Sequence, residues 1–281
     1  MGGTKRAPAA RANEVPGMKL SKDTYFCVEN ALEGTVTPEE RENADSPLDP
    51  DRDQTENVTA KIILGRELEA QEILFDPATY IDEHVFTLGA GAHFDDYDNS
   101  DPFEVFREAH RVFHKTMFTT PNLVMIPWDV MWWLSDHPKL RDRLGGNERS
   151  ILSVQDVQSL LGIQRAIVPG GGFNQEVNPG GPEDITYMWS QHIVMAYVPP
   201  RPGKKVPAFG YEFVWPINGR VQTTDKRTDD DRITDIIRVR RRNDLKVVAK
   251  DDDATAGGDP GEKSIAGMLI ENAISDAAAN D

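Results

Sequence analysis

The sequence predicts an α+β fold in which one long helix is joined to mixed strand-and-helix layers. Three observations carry this. Residues 49–75 run helix-compatible and free of proline after Pro50, closed by Asp76-Pro77. Residues 122–168 read in the order strand, helix, helix, strand, which marks an α/β layer. Residues 209–215 and 233–248 carry strand-type alternation of the kind that builds sheets.

Taken in order, residues 1–16 are polar and rich in Ala, Gly, Arg and Pro, an extended arm. Thr24-Tyr25-Phe26-Cys27-Val28 favours a strand, and a second run from Ala31 to Val36 predicts a hairpin through Glu29-Asn30. With so few apolar residues, this hairpin must lie over another surface. Thr37-Pro38-Glu39-Glu40 reads as a capping box opening a short helix to about Ala44. Asp49 is a good N-cap and Pro50 suits the first helical position, where its missing N–H costs nothing. Asp51, Asp53 and Glu56 favour the positive end of the long helix. At 1.5 Å per residue it extends on the order of 40 Å. Val58, Ile62, Ile63, Leu64, Leu68, Ile73 and Leu74 are spread around it, so it reads as a strut with contacts on more than one side. Its outer face needs support, and a neighbouring subunit is one candidate.

Val85–Leu88 is a short strand and Gly89–Ser100 a loop. Asp101-Pro102 starts a second helix with Phe106, Ala109, Val112 and Phe113 at helical spacing. Asn122–Ile126 is a buried strand. Pro127 opens a helix with Val130, Trp133 and Leu134 on one side, closed before Pro138, and a further short helix reaches Leu144. Ser153 and Asp156 cap a helix ending at Gly162. A strand follows at Ile163–Val168, then the Gly170-Gly171-Gly172 loop. Ile185–Val198 reads as two strands around Ser190-Gln191-His192. Phe209, Tyr211, Phe213 and Trp215 give one strand an aromatic face. Ile233–Val248 reads as a long hairpin turning at Asn243-Asp244. Residues 250–263 form an acidic, Gly-rich loop, and Ile265–Ile274 is a last ordered element.

The totals exclude several classes. The 281 residues carry a net charge of −16, which opposes a surface built to grip nucleic acid. No run approaches a transmembrane helix. The basic N-terminus lacks the apolar region of a secretory signal. Cys27 is the one cysteine, so no intrachain disulfide forms and a reducing compartment is the simple reading.

Constellations with chemical potential are few. His110 and His114 lie four apart on a helix, but Arg111 stands where a zinc-protease motif has Glu, and no third ligand is marked. Gly170-Gly171-Gly172 lacks the Lys-Ser or Lys-Thr of a phosphate loop. The aromatic strand at 209–215, with Arg201, Lys204 and Lys205 upstream, has the makings of a base-stacking platform; the plainer reading is a half-buried core strand. Arg238, Arg240 and Arg242 share one face of a strand and need anions. Either they are solvated or they meet carboxylates of a neighbouring copy. Cys27 reads as a small apolar contact. Nothing marks an active site.

The order of elements and three stretches of text resemble the major capsid protein of tailed bacteriophages, the Hong Kong 97-like capsid fold family. The stretches are Glu39–Asp49 before the long helix, Pro121–Leu134 followed by His137-Pro138-Lys139-Leu140, and Trp189, His192, Ala196–Pro202 with Phe209-Gly210-Tyr211. None is a chemical motif; the likeness is to a scaffold. It implies an N-terminal arm (1–16), an extended hairpin loop (17–48), a peripheral domain with the long spine helix (49–120), an axial α/β domain (121–231) and a returning hairpin with C-terminal segment (232–281). It implies no cofactor, no metal and no turnover. It implies assembly of copies into hexamers and pentamers of an icosahedral virion head that encloses double-stranded DNA without specific recognition. Scaffolding, portal and decoration proteins are the implied partners, the host cytoplasm is the implied place of assembly, and no membrane is involved. Lys19, Lys22, Tyr25, Arg238, Arg240 and Arg242 become the candidate inter-subunit contacts. Some members join neighbours by Lys–Asn isopeptide bonds, and Lys19 and Lys22 lie in the loop where such a lysine would be. Three rivals are an encapsulin-like compartment, a hydrolase whose site the sequence does not reveal, and a single-strand nucleic-acid binder using the aromatic strand.

Overall fold

Two large sheets, a two-stranded sheet at 172–174 and 185–187, and one long helix carry the chain in this computed structural model, which describes residues 23–144, 151–174, 185–203, 206–250 and 263–279. The first elements are β1 (Val28–Val36), α1 (Pro38–Asn43) and α2 (Pro50–Phe75). The capping box forms: Thr37 Oγ1 accepts from Glu40 N–H at 3.2 Å and Glu40 Oε2 accepts from Thr37 N–H at 2.8 Å. Asp49 caps α2 by accepting from Arg52 N–H at 3.3 Å. Of the 26 residues of α2 only Val58 and Ile62 are buried, which fits a strut without a single apolar stripe.

There follow β2 (Val85–Thr87), α3 (Pro102–Met117), β3 (Leu123–Met125), α4 (Trp128–Asp136), α5 (Pro138–Arg143), α6 (Val154–Leu160), β4 (Arg165–Ile167), β5 (Gly172–Asn174), β6 (Ile185–Tyr187) and β7 (Ile193–Ala196). The last elements are β8 (Gly210–Val214), β9 (Gln222–Asp229), β10 (Thr234–Val247), β11 (Gly267–Glu271) and α7 (Asp276–Ala279). Asp101 caps α3, and the Ser153/Asp156 box caps α6. Gly162, at φ +68°, takes the left-handed conformation that ends α6 at little cost.

The five-stranded sheet has the order β2-β11-β7-β3-β4, with β2–β11 and β3–β4 parallel and the two inner pairings antiparallel. Its central strands are buried on both faces. Ile193 and Met195 of β7, with Met268 and Ile270 of β11, meet Phe106, Phe113, Val130, Leu134, Leu140 and Val157 from α3–α6. Val194, Ala196 and Leu269 face the other way, against Tyr80 and Phe209, with Leu74 and Phe75 at the end of α2 packed alongside. Alternation in β7 therefore divides two cores instead of separating core from solvent. The sheet takes strands from all three of the segments drawn at 49–120, 121–231 and 232–281.

The second sheet is organised by β10, a single strand of 14 residues. β1 pairs along one edge (Leu32 opposite Val239), while β9 and then β8 share the other. Two expectations need correction. The expected hairpin at 24–36 is one strand, β1, preceded by non-strand residues 23–27; its partner lies some two hundred positions later. Asn30 tolerates a turn, but unbroken pairing of Glu29 with Arg242 and Asn30 with Arg241 keeps the strand straight through it. The expected turn at Asn243-Asp244 is also absent. Asn243 is buried and pairs with Val28 on one side and Val214 on the other. The actual reversal lies at 230–233, where Ile233 adopts φ +51°, and the returning strand β9 is polar throughout, so its sequence carries no alternation to read. The acidic loop falls at 251–262, outside the described residues.

Candidate assembly surfaces

The arginines of β10 find their anions in the same chain. Arg238 Nε donates to Glu33 Oε1 at 2.5 Å, and Arg242 Nε donates to Glu29 Oε2 at 2.6 Å. Arg240 lies 2.5 Å from Asp225 and 3.7 Å from Glu29. The carboxylates belong to β1 and β9, the two strands flanking β10, so cross-strand pairing supplies the neutralisation. The need for a neighbouring copy's carboxylates is thereby removed at these three positions. Hydrogen bonds from Arg242 and Arg238 hold the carboxyls of Glu29 and Glu33 below the usual range. On the opposite face Arg241 donates to Glu212 at 2.6 Å, and Arg66 of α2 approaches the same carboxylate at 3.6 Å.

A second cluster fastens this sheet to the helices. Arg41 bridges Asp51 at 2.7 Å and Asp235 at 2.6 Å, and Lys226 bridges the same two carboxylates at 3.0 and 3.3 Å. Four charges of alternating sign thus join α1, α2, β9 and β10. Hydrogen bonding by Arg41 lowers the Asp51 pKa, and hydrogen bonding by Asp51 raises that of Lys226. Each pair is partly exposed and worth little alone; the network acts mainly to fix geometry.

The aromatic strand is divided among three environments. Phe209 is buried and stacks on Tyr80 at 5.7 Å, while Phe213 is covered by Tyr25 at 4.3 Å and 9°. Trp215 is exposed beside Arg242, 5.6 Å away. No continuous stacking platform remains along this strand. Tyr25 keeps 58% of its surface exposed, and the chain around it is pinned to β10. Asp23 bridges Lys246 at 2.9 Å and Lys250 at 3.1 Å, Phe26 N–H donates to Asp244 at 2.8 Å, and Lys246 donates to the Thr24 carbonyl. Lys19, Lys22, Lys204 and Lys205 lie outside the described residues.

The remaining constellations hold no assembled chemistry. His110 is half-buried and His114 exposed, and no group of three or more metal-ligating side chains occurs among the described residues. Gly172 opens β5, where a Cβ would lie 3.1 Å from the Thr186 carbonyl, a reason for glycine unrelated to phosphate. Cys27 Sγ contacts the Phe213 carbonyl at 3.5 Å. An apolar cavity of about 340 Å³ lies between α2 and both sheets, reached by Ile73, Leu74, Met125, Val194 and Val247. No helix among the described residues is long and apolar enough to cross a membrane.

Sequence reasoning missed the buried histidines. His84 Nδ1–H donates to the Gly267 carbonyl at 2.8 Å, tying β2's approach to β11. Ser100 Oγ donates to the Asp96 carbonyl, so the 3.0 Å contact with His137 is donated by Nε2–H. Nδ1 of His137 is then a buried acceptor without a partner. Burial, then the nearby Lys139 charge, push the His137 pKa down to about 4. A lone histidine in a sequence gives no signal of such burial.

The fold defines a class before any name is attached: a mixed helix-and-sheet scaffold with a spine helix, and no assembled catalytic group among the described residues. Three solved structures, one of a phage-related protein and two from phages, share this fold. A phage-related protein from Bordetella bronchiseptica RB50 matches with a TM-score of 0.67 at 23% identity, over 89% of this chain and 77% of that one. A chain from Microbacterium phage Oxtober96 matches at 0.52 and 8% identity, over 88% and 73%. One from Mycobacterium phage Adephagia matches at 0.51 and 12% identity, over 88% and 72%. No family model and no curated protein matches the sequence. The fold expected from the resemblance is thus shared with solved structures from phages.

Proposed function

We propose that the chain is a major capsid protein, the repeating tile of a tailed-phage head. The observation that carries this reading is the fold likeness over 89% of the chain at a TM-score of 0.67. The role is structural: copies pack into hexamers and pentamers, close an icosahedral shell and hold double-stranded DNA without reading its sequence. In this reading residues 1–48 reach across neighbours. In place of the division at 49–120, 121–231 and 232–281 read from the sequence, we assign the spine helix α2 and the β10 sheet to the peripheral part, and the five-stranded sheet with α3–α6 to the axial part. Scaffolding, portal and decoration proteins are the partners of such a tile, and the virion is its final location. The net charge of −16 supports non-adhesive packing of DNA, since an acidic lining repels phosphate.

Negative-stain imaging of the expressed protein tests this. Rings or closed shells support it, and a lone monomer contradicts it. Nuclease treatment and protein analysis of opened particles from the native source then separate a phage head, filled with DNA, from an encapsulin-like compartment filled with enzyme cargo.

A further inference from the structure

Helix α4 meets solvent along a single line. Of its nine residues, Trp128, Trp132 and Asp136 are exposed and the others are buried or half-buried. Spaced four apart, the three stand one above another on the same face. The two indoles, 52% and 56% exposed, stack on each other at 5.8 Å and 23°. Asp136 ends the line, half-exposed and bridged to Arg141 at 3.2 Å. Two adjacent tryptophans leave broad apolar faces in water, and tryptophan is among the side chains most enriched at interface hot spots. Indole faces beside a carboxylate select a cation, and a flat guanidinium suits both.

Such a cation leaves the other end of the strand before α4. Asn122 and Trp128 flank β3, separated by up to about 20 Å of extended chain. At the Asn122 end the side-chain amide clamps Val198. Its Oδ1 accepts from the Val198 N–H at 2.8 Å, and its Nδ2 donates to the Val198 carbonyl at 2.6 Å. Phe209 N–H donates to the Tyr197 carbonyl at 3.0 Å and closes the loop that begins there. Pro199 is buried, the chain bends at Pro200-Arg201, and Pro200, Arg201, Pro202 and Gly203 are exposed. Three prolines fix their own φ and restrict the residues before them, so the loop loses little freedom on being covered. Arg201 has no ion-pair partner among the described residues.

We propose that the loop at Pro200–Gly203 of one copy seats on the Trp128/Trp132 line of a second copy, with the Arg201 guanidinium over the indoles and its charge toward Asp136. Loop and line are different surfaces joined to opposite ends of β3, so the contact runs head to tail and each copy offers both halves. This rests on the self-assembly reading above.

Photocross-linking of the full chain tests it. In a Cys27→Ser background, Gly203→Cys carries a thiol-reactive benzophenone; a Cβ at 203 meets Val206 at an ordinary 3.5 Å. Heavy-isotope and natural-isotope chains are mixed before assembly, so that links between copies join the two isotopes. The expected result is mixed-isotope links to residues 128–136. Trp128→Ala with Trp132→Ala should cut their yield about tenfold or more. Arg201→Glu should lower it, and adding Asp136→Arg should bring it back. Links that are never mixed place loop and line together within one chain and overturn the proposal. A yield unchanged by the paired alanines also overturns it. Assemblies that form with no link to 128–136 overturn it and leave the capsid reading standing. A chain that sediments only as monomer removes both.

Discussion

His137 is the residue whose burial has the clearest consequence in solution. Its folded pKa, near 4, lies below the ordinary value of 6.5, so the unfolded chain binds a proton that the folded chain refuses. Stability therefore falls as pH drops from about 6.5 to about 4 and levels off below. This one group contributes up to about 3 kcal/mol to that fall. Denaturant titrations at pH 7, 5.5 and 4 should show the slope, and His137→Gln should flatten it while lowering stability at pH 7. An unchanged slope would mean that His137 is solvated. Asp23 behaves in the opposite sense. Hydrogen bonds from Lys246 and then Lys250 lower its pKa to about 2, so its contribution is complete above the ordinary value of 3.8 and is lost as pH falls through about 2. Hydrogen exchange at residues 23–27 should be as slow at pH 4 as at pH 6, after correction for intrinsic rates. Gly267 is a position defined by space: a Cβ there would enter the Phe209 ring and lie 2.8 Å from Tyr80 Cε1. Gly267→Ala should cost about 1–3 kcal/mol, read as a lowered denaturant midpoint.

Among the elements, α2 and β10 depend on each other. Val58 and Ile62 meet Val239 in a small separate core, and this contact with the Arg41/Asp51/Lys226/Asp235 cluster holds the ribbon to the strut. Ile62→Ala should cost about 2 kcal/mol or more and should speed hydrogen exchange in β1 and β10 before it affects β7 and β11. Uniform acceleration would show that the two sheets unfold as one. The same division explains what the sequence made legible. Helices announced themselves through local chemistry: the Thr37/Glu40 and Ser153/Asp156 boxes, the Asp49 and Asp101 caps, and the prolines behind them. Four strands of the five-stranded sheet were legible as short apolar runs, while β11 was read only as an ordered element. In the β10 ribbon the strand character of 209–215 and 233–248 was legible but the turns, β9 and the pairings were not, because β1 and β9 are held by cross-strand ion pairs and by partners far away in sequence. The β10 arginines show the same limit. Alternation placed Arg238, Arg240 and Arg242 on one face, but no local rule could say that Glu29, Glu33 and Asp225 would face them.

At the scale of the molecule, the tile reading joins a scaffold without assembled chemistry among the described residues to a ribbon whose edge strand β1 is exposed. β1 lies at a sheet edge with Glu29 and Glu33 on one face and half-exposed Val28 and Leu32 on the other, and many weak contacts of this kind add when copies are held side by side. Sedimentation velocity of the purified chain over a wide concentration range, at low and high salt, is the most direct measurement. The tile reading predicts discrete fast-sedimenting species, rings or shells, in concentration-dependent exchange with free subunits. A single slow species of monomer size at every concentration would contradict it.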